Sequence, residues 1–222
     1  MDYLAPCQYS IRLIEKLKSL DTKNVLDFDL INKGIYWARK YHGSQKRKSG
    51  EPYYSHPLEV AYMISEYKLK TDVIVASILH DIIEDTEVTT GMVIDNFSWR
   101  IAQMVDRLTR DRPDGTKLSV EEILENAYHL KDKEVLLIKF FDRLHNMQTI
   151  SVKILDKQIQ ESKETLNNFI TLAMYLENIT LEKTISYLCH QISSDKKKIN
   201  QITFMYNFLT QKDNYQLPSL VP

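Results

Sequence analysis

Apolar residues recur at helical spacing along nearly the whole chain, and no stretch alternates with period two for long enough to build a sheet. Residues 9–20 put Leu13, Ile14, Leu17 and Leu20 on one face. Residues 28–41 turn Leu30, Ile31, Ile35, Trp37 and Ala38 inward. A polar loop from His42 to Tyr54 follows, broken by Ser49-Gly50 and Pro52. Ser55 is placed to cap a helix running to about Lys68, with Pro57 in its first turn. Thr71 is placed to cap the next, DVIVASILHDIIED. That segment is apolar on almost every side, which predicts a central buried helix over 72–85. Shorter helices are expected at 89–97 and 98–110, then a turn or loop in RDRPDGTK. Ser119 and Glu122 form a capping-box pattern that opens another helix. Residues 132–148 read as a second strongly apolar helix, and 157–177 and 180–192 as two amphipathic ones. Only five glycines punctuate the 222 residues, too few for a turn-rich β fold. The expectation is an all-α bundle of about ten helices around 72–85 and 133–148.

Length and charge narrow the class. A chain of 222 residues makes one domain, expected over 1–195, with a last helix or tail over 196–222. The 29 basic residues are matched by 30 acidic ones, so no global field points to nucleic acid; Lys46-Arg47-Lys48 is a local exception. Cys7 and Cys189 lie far apart and form no disulfide framework. No signal-peptide pattern opens the chain, and no apolar stretch is long enough to span a bilayer. A cytoplasmic protein without membrane or nucleic-acid partners is expected, its oligomeric state open.

Polar residues inside the two most apolar helices are the informative ones, because burying them uncompensated costs several kcal/mol, roughly. His80-Asp81 sits within VIVASILHDIIED, and Glu84 and Asp85 follow each by four residues, extending the same edge by a turn. Four imidazole or acidic groups in six positions of a buried helix call for a cation. His56 in SHPLEVA and Asp142 in LLIKFFDRLHNM complete a mixed nitrogen and oxygen set. Such ligands suit Mn²⁺, Fe²⁺ or Zn²⁺ better than Ca²⁺, and without cysteine they do not read as a structural zinc site. Taken singly, each residue has a plainer explanation. His80 can be a core histidine satisfied by a backbone carbonyl. Asp142-Arg143 can be a half-buried ion pair. His145, three residues past Asp142, can support the ligands from behind. His42, His129 and His190 read as surface or satisfied histidines. The pairs Tyr53-Tyr54 and Phe140-Phe141 read as packing.

His56, His80-Asp81 and Asp142, in that order, resemble the H…HD…D signature of the HD superfamily of phosphohydrolases, which implies a compact multi-helix HD-superfamily bundle. The strings RKSGEPYYSHPLEVA, LHDIIEDT and IKFFDRLHNMQT resemble three motifs of the hydrolase domain of the Rel/Spo alarmone family, in order and at matching spacing. The likeness spans residues 25 to about 190 and includes ITLAMYLENITLEK. It implies hydrolysis of ppGpp and pppGpp at the 3′ position to GDP or GTP plus pyrophosphate, usually with Mn²⁺. His56, His80, Asp81 and Asp142 then correspond to the metal ligands, and Glu84 and Asp85 to the catalytic carboxylates. Arg47, Lys48 and Ser49 correspond to a loop that meets the nucleotide, and Asn146 and Thr149 to nucleoside contacts. Arg47 can lie on a guanine face or grip a phosphate. Ser44 replaces the family's usual glycine and Gln148 a frequent basic residue, which bears on substrate affinity. The chain is too short for the synthetase domain of long family members, so a hydrolase-only small alarmone hydrolase, or a truncated copy, is expected. Two other readings share these residues: an HD phosphohydrolase of another nucleotide such as NADPH, and a decayed alarmone-binding module. The latter would show a lost ligand or carboxylate, and all six positions are intact.

Overall fold

The computed structural model describes residues 3–68, 70–112 and 115–192. The helix or tail expected over 196–222 lies outside them. Every regular element among the described residues is helical, as the periodicity predicts. They are α1 (Gln8–Leu20), α2 (Phe28–His42), α3 (Ser55–Ile64), α4 (Thr71–Leu79), α5 (Ile82–Asp85), α6 (Thr90–Asn96), α7 (Trp99–Leu108), α8 (Val120–His129), α9 (Lys133–Gln148), α10 (Leu155–Tyr175) and α11 (Ile179–Ile192). A 3₁₀ turn spans Ile150–Val152. Extended structure is limited to two isolated bridges, Lys46 with Pro52 and Asp111 with Lys117, which close the loops after α2 and α7. Among the described residues no helix is long and apolar enough to cross a membrane.

Two compact units divide at Val152 and Lys153. In the first, α4 is the core. Val73 to Leu79 are each at most 1% exposed, and α2, α3, α7 and α9 pack around this helix. Gly34 lets α2 approach it: a Cβ there would stand 3.4 Å from Val75 Cγ1. The Ser119–Glu122 capping box is present, and Asp132 caps α9 by accepting from Val135 N. In the second unit α10 and α11 pack against each other through a short turn at 176–178.

Four local expectations are corrected. Ser55 and Thr71 are the first residues of α3 and α4 rather than their caps. Ser55 Oγ is buried without a hydrogen-bond partner, and Thr71 Oγ1 instead accepts from Asp27 N, tying the start of α4 to that of α2. α3 stops at Ile64 rather than Lys68, where Ser65 Oγ turns back to the carbonyl of Tyr62. The helix expected over 72–85 breaks at His80-Asp81 into α4 and α5. His80 Nδ1 bonds the carbonyl of Ser77 at 2.8 Å, and Asp81 takes φ −99°, ψ −4°. This is the bridge region, which turns the following residues off the α4 axis. Leu20, expected on the buried face of α1, is 37% exposed, whereas Leu13 and Leu17 are fully buried.

Candidate active site and metal centre

The expected metal ligands come from the start of α3, the α4–α5 break and the middle of α9. His56 Nε2 lies 3.2 Å from Asp142 Oδ1 and 3.5 Å from Asp81 Oδ2. His80 Nε2 lies 3.1 Å from Asp81 Oδ1 and 3.8 Å from Asp142 Oδ1. One ligand atom from each of His56, His80 and Asp142 falls within 4.8 Å of the others, and Asp81 closes the group from the side nearer solvent.

A divalent ion fits this arrangement. His80 Nε2 is buried and unpartnered, since its approach to Asp81 lacks hydrogen-bond geometry. Its Nδ1 is already committed as a donor to Ser77 O, so once its Nε2 proton gives way to a metal ion the ring would offer its lone pair on Nε2. His56 is backed in a similar way: its Nδ1 is 2.8 Å from His145 Nδ1. Burial, reinforced by His56 and Arg47, pushes His145 down to about 3, so its ring is neutral and able to accept. Asp142 is held at both oxygens. Lys139 donates to Oδ2 at 2.9 Å and Asn146 to Oδ1 at 2.7 Å.

The charges of the site compensate one another. Burial alone would lower His80, but the Asp81 and Asp142 carboxylates outweigh it and raise it to about 10. Burial alone would raise Asp81, but His80 and then His56 hold it at about 2. Asp142 is kept well below the carboxylate range by Lys139 and the two imidazoles, against its own burial. A positive centre is therefore favoured between these carboxylates.

The two expected catalytic carboxylates diverge. Glu84 accepts from Arg110 N and from Lys117 Nζ, both at 3.1 Å, so the hairpin after α7 holds it. Asp85 accepts from the Tyr53 hydroxyl at 2.6 Å. Burial first, with Asp81 and Glu84, raises Asp85 to about 6 against the lowering effect of Tyr53. Of the expected substrate residues, Arg47 bonds Asn146 Oδ1 at 3.0 Å and Thr149 Oγ1 at 3.4 Å. These three therefore meet beside Asp142. Lys48 and Ser49 stand exposed at the turn before Gly50.

The HD domain family model matches residues 35–177. The chain belongs to the HD domain family. Among similar proteins is a GTP pyrophosphokinase rsh of Brucella suis biovar 1 (strain 1330), 38% identical over 149 residues, 65% of this chain and 20% of that one. A guanosine-3′,5′-bis(diphosphate) 3′-pyrophosphohydrolase of Aquifex aeolicus (strain VF5) is 34% identical over 168 residues, 73% of this chain and 24% of that one. The HD-domain chain thus spans about a fifth to a quarter of the length of these relatives. A solved structure described as a metazoan ortholog of SpoT that hydrolyses ppGpp superposes with a TM-score of 0.54 at 21% identity, over 84% of this chain and 97% of that one. That likeness establishes the shared HD-domain fold.

Some residues of this HD domain carry contacts that the sequence reading passed over. Lys139 was invisible as a partner of Asp142, although its i−3 position on α9 was the available signal. Lys117 and Arg110 reach Glu84 only through the fold of the 110–118 hairpin. Tyr53 uses its hydroxyl as well as its ring, whereas Phe140 and Phe141 are buried as packing. His42 is the satisfied histidine expected: it is buried, 3.0 Å from Gln45 Oε1, and stacked on Tyr53. His129 is exposed.

Proposed function

We propose that the chain hydrolyses the 3′-diphosphate of ppGpp and pppGpp, giving GDP or GTP and pyrophosphate, with one divalent ion, Mn²⁺, held by His56, His80, Asp81 and Asp142. The observation that carries the reading is the buried, unpartnered Nε2 of His80 facing two carboxylates and a second imidazole, with two differently held carboxylates one turn away. Resemblance to relatives named for 3′-pyrophosphohydrolase activity supports the substrate.

When bound, the ion supplies a Lewis acid that makes a water acidic and offsets phosphate charge. The protein's own groups do the rest. Asp85, with a proton affinity raised by its surroundings, takes the proton of the attacking water and returns one to the departing 3′ oxygen. Glu84, paired with Lys117, orients the water and places a cation beside the diphosphate. Arg47, poised between Asn146 and Thr149, meets the nucleotide; Lys48 and Ser49 add donors from the same turn. Asn146 and Thr149 bind the nucleoside.

The test is pyrophosphate release from ppGpp by the purified chain with Mn²⁺, with EDTA, and beside Asp81→Ala. The expected result is manganese-dependent release that falls about a hundredfold or more in the variant, as loss of a metal-dependent nucleophile requires. Absence of release from a manganese-loaded protein rejects the alarmone as substrate.

A further inference from the structure

Tyr53 stands outside every residue the motif resemblance assigns, and its ring alone would be ordinary packing. Its hydroxyl is not ordinary. It donates to Asp85 Oδ2 at 2.6 Å, the length of a bond to an ionised oxygen. The ring is fixed by its stack on His42, with centroids 4.7 Å apart and planes 26° from parallel. Its backbone N donates to Gln45 O at 2.9 Å. Gln45 in turn receives His42 at its Oε1 and donates from Nε2 to the main-chain carbonyl of Asp85 at 3.0 Å. Residues 42–53 therefore grip Asp85 by both side chain and backbone. They need to, because α5 is only four residues long and Asp85 is its last. A single turn of helix fixes a terminal side chain poorly.

We propose that the Tyr53 hydroxyl is a positioning group for Asp85, occupying Oδ2 so that Oδ1 alone is left to face the reacting water. This rests on Asp85 being the proton-handling carboxylate of the hydrolase. The same loop carries Arg47. The Lys46–Pro52 bridge and the bond from Arg47 N to Glu51 O join the Arg47 turn to Tyr53 across about six residues. At the far end Arg47 reaches Asn146 and Thr149. Nucleotide bound by Arg47 thus braces the loop that sets the orientation of Asp85.

Tyr53→Phe removes the hydroxyl and keeps the stack on His42. Two readouts separate the proposal from a packing role. The first uses metal-free protein and ¹³C NMR of the Asp85 carboxyl, assigned with Asp85→Asn. Asp81, Glu84 and His80 also face this group and are unchanged in the variant. Because the hydroxyl bond favours the charged carboxylate, its loss moves the Asp85 titration to higher pH. The second uses ppGpp with saturating Mn²⁺. The expected kcat falls about tenfold, a part of the roughly 10²–10⁴ that proton transfer contributes, while KM stays within about twofold. An unmoved Asp85 titration, or an unchanged kcat beside normal melting, overturns the proposal. If the wild-type chain releases no pyrophosphate, the hydrolase reading fails, and the NMR arm still decides whether Tyr53 controls Asp85.

Discussion

At the scale of single residues, the proposed metal centre depends on what stands behind its candidate ligands. Each imidazole has one nitrogen occupied, His80 by the Ser77 carbonyl and His56 by His145, which leaves the other nitrogen aimed at the carboxylates. His145 is buried with its ring centroid 4.9 Å from that of His56, and its Nδ1 fixes the His56 tautomer. His145→Ala is therefore expected to weaken Mn²⁺ binding about 10–100-fold, the usual cost of losing such a partner, with the helical circular dichroism unchanged. Calorimetric titration with Mn²⁺ measures this. Equal affinity in the variant would show that His56 is oriented by α3 alone. The sequence already displayed this residue's opportunity, three positions past Asp142 on one helix face. The partners of Asp85 and Glu84 were not legible, because Tyr53, Lys117 and Arg110 lie 26 to 33 residues away. Only the folded loops bring them in.

At the scale of elements, helix identity was legible, and the junction between α4 and α5 was not. Periodicity marks α4 and α5 as one apolar run, since nothing in SILHDIIE is a helix breaker. The break arises from a side chain competing for a backbone carbonyl, which residue patterning does not encode. Within α5, Glu84 and Asp85 are adjacent and so point about 100° apart, and they enter different networks, Glu84 with Arg110 and Lys117 and Asp85 with Tyr53. The elements behind the site are held tightly. α2 and α4 meet at Gly34, where even a Cβ would touch Val75 at 3.4 Å and Ile78 at 3.7 Å. Gly34→Leu has no space for its branched end and must separate the two helices. Overpacking of this kind costs about 1–3 kcal/mol. The melting temperature should fall by roughly 2–4 °C for each kcal/mol in a chain of this size. Thermal denaturation followed by circular dichroism checks it. Gly34→Ala, limited to the Cβ, should cost far less, and equal losses in the two variants would remove the close-approach argument.

At the scale of the whole molecule, a site that holds a carboxylate at raised proton affinity costs folding stability at neutral pH. Asp85 is raised to about 6 by burial, Asp81 and Glu84, from an ordinary 3.8 in the unfolded chain. Below about pH 4 the group is largely protonated in both states and exerts little net effect. As pH rises through 6, the unfolded chain ionises it more readily than the fold does, so stability is progressively lost. Asp85→Asn abolishes the ionisation while its amide oxygen still accepts from Tyr53. The variant should therefore gain little over the wild type at pH 4 and gain on the order of 1 kcal/mol at pH 8, allowing for solvent screening of a part-buried group. Melting curves of both proteins, metal-free, at the two pH values measure the difference between them, in which titrating groups not coupled to Asp85 cancel. A gain at pH 8 together with loss of pyrophosphate release would identify the strain around Asp85 as the cost of keeping a base in reach of the substrate, a trade common at catalytic sites. A difference independent of pH would mean that Asp85 is solvated well enough to titrate as an ordinary carboxylate, and would shift the proton-handling role to Glu84.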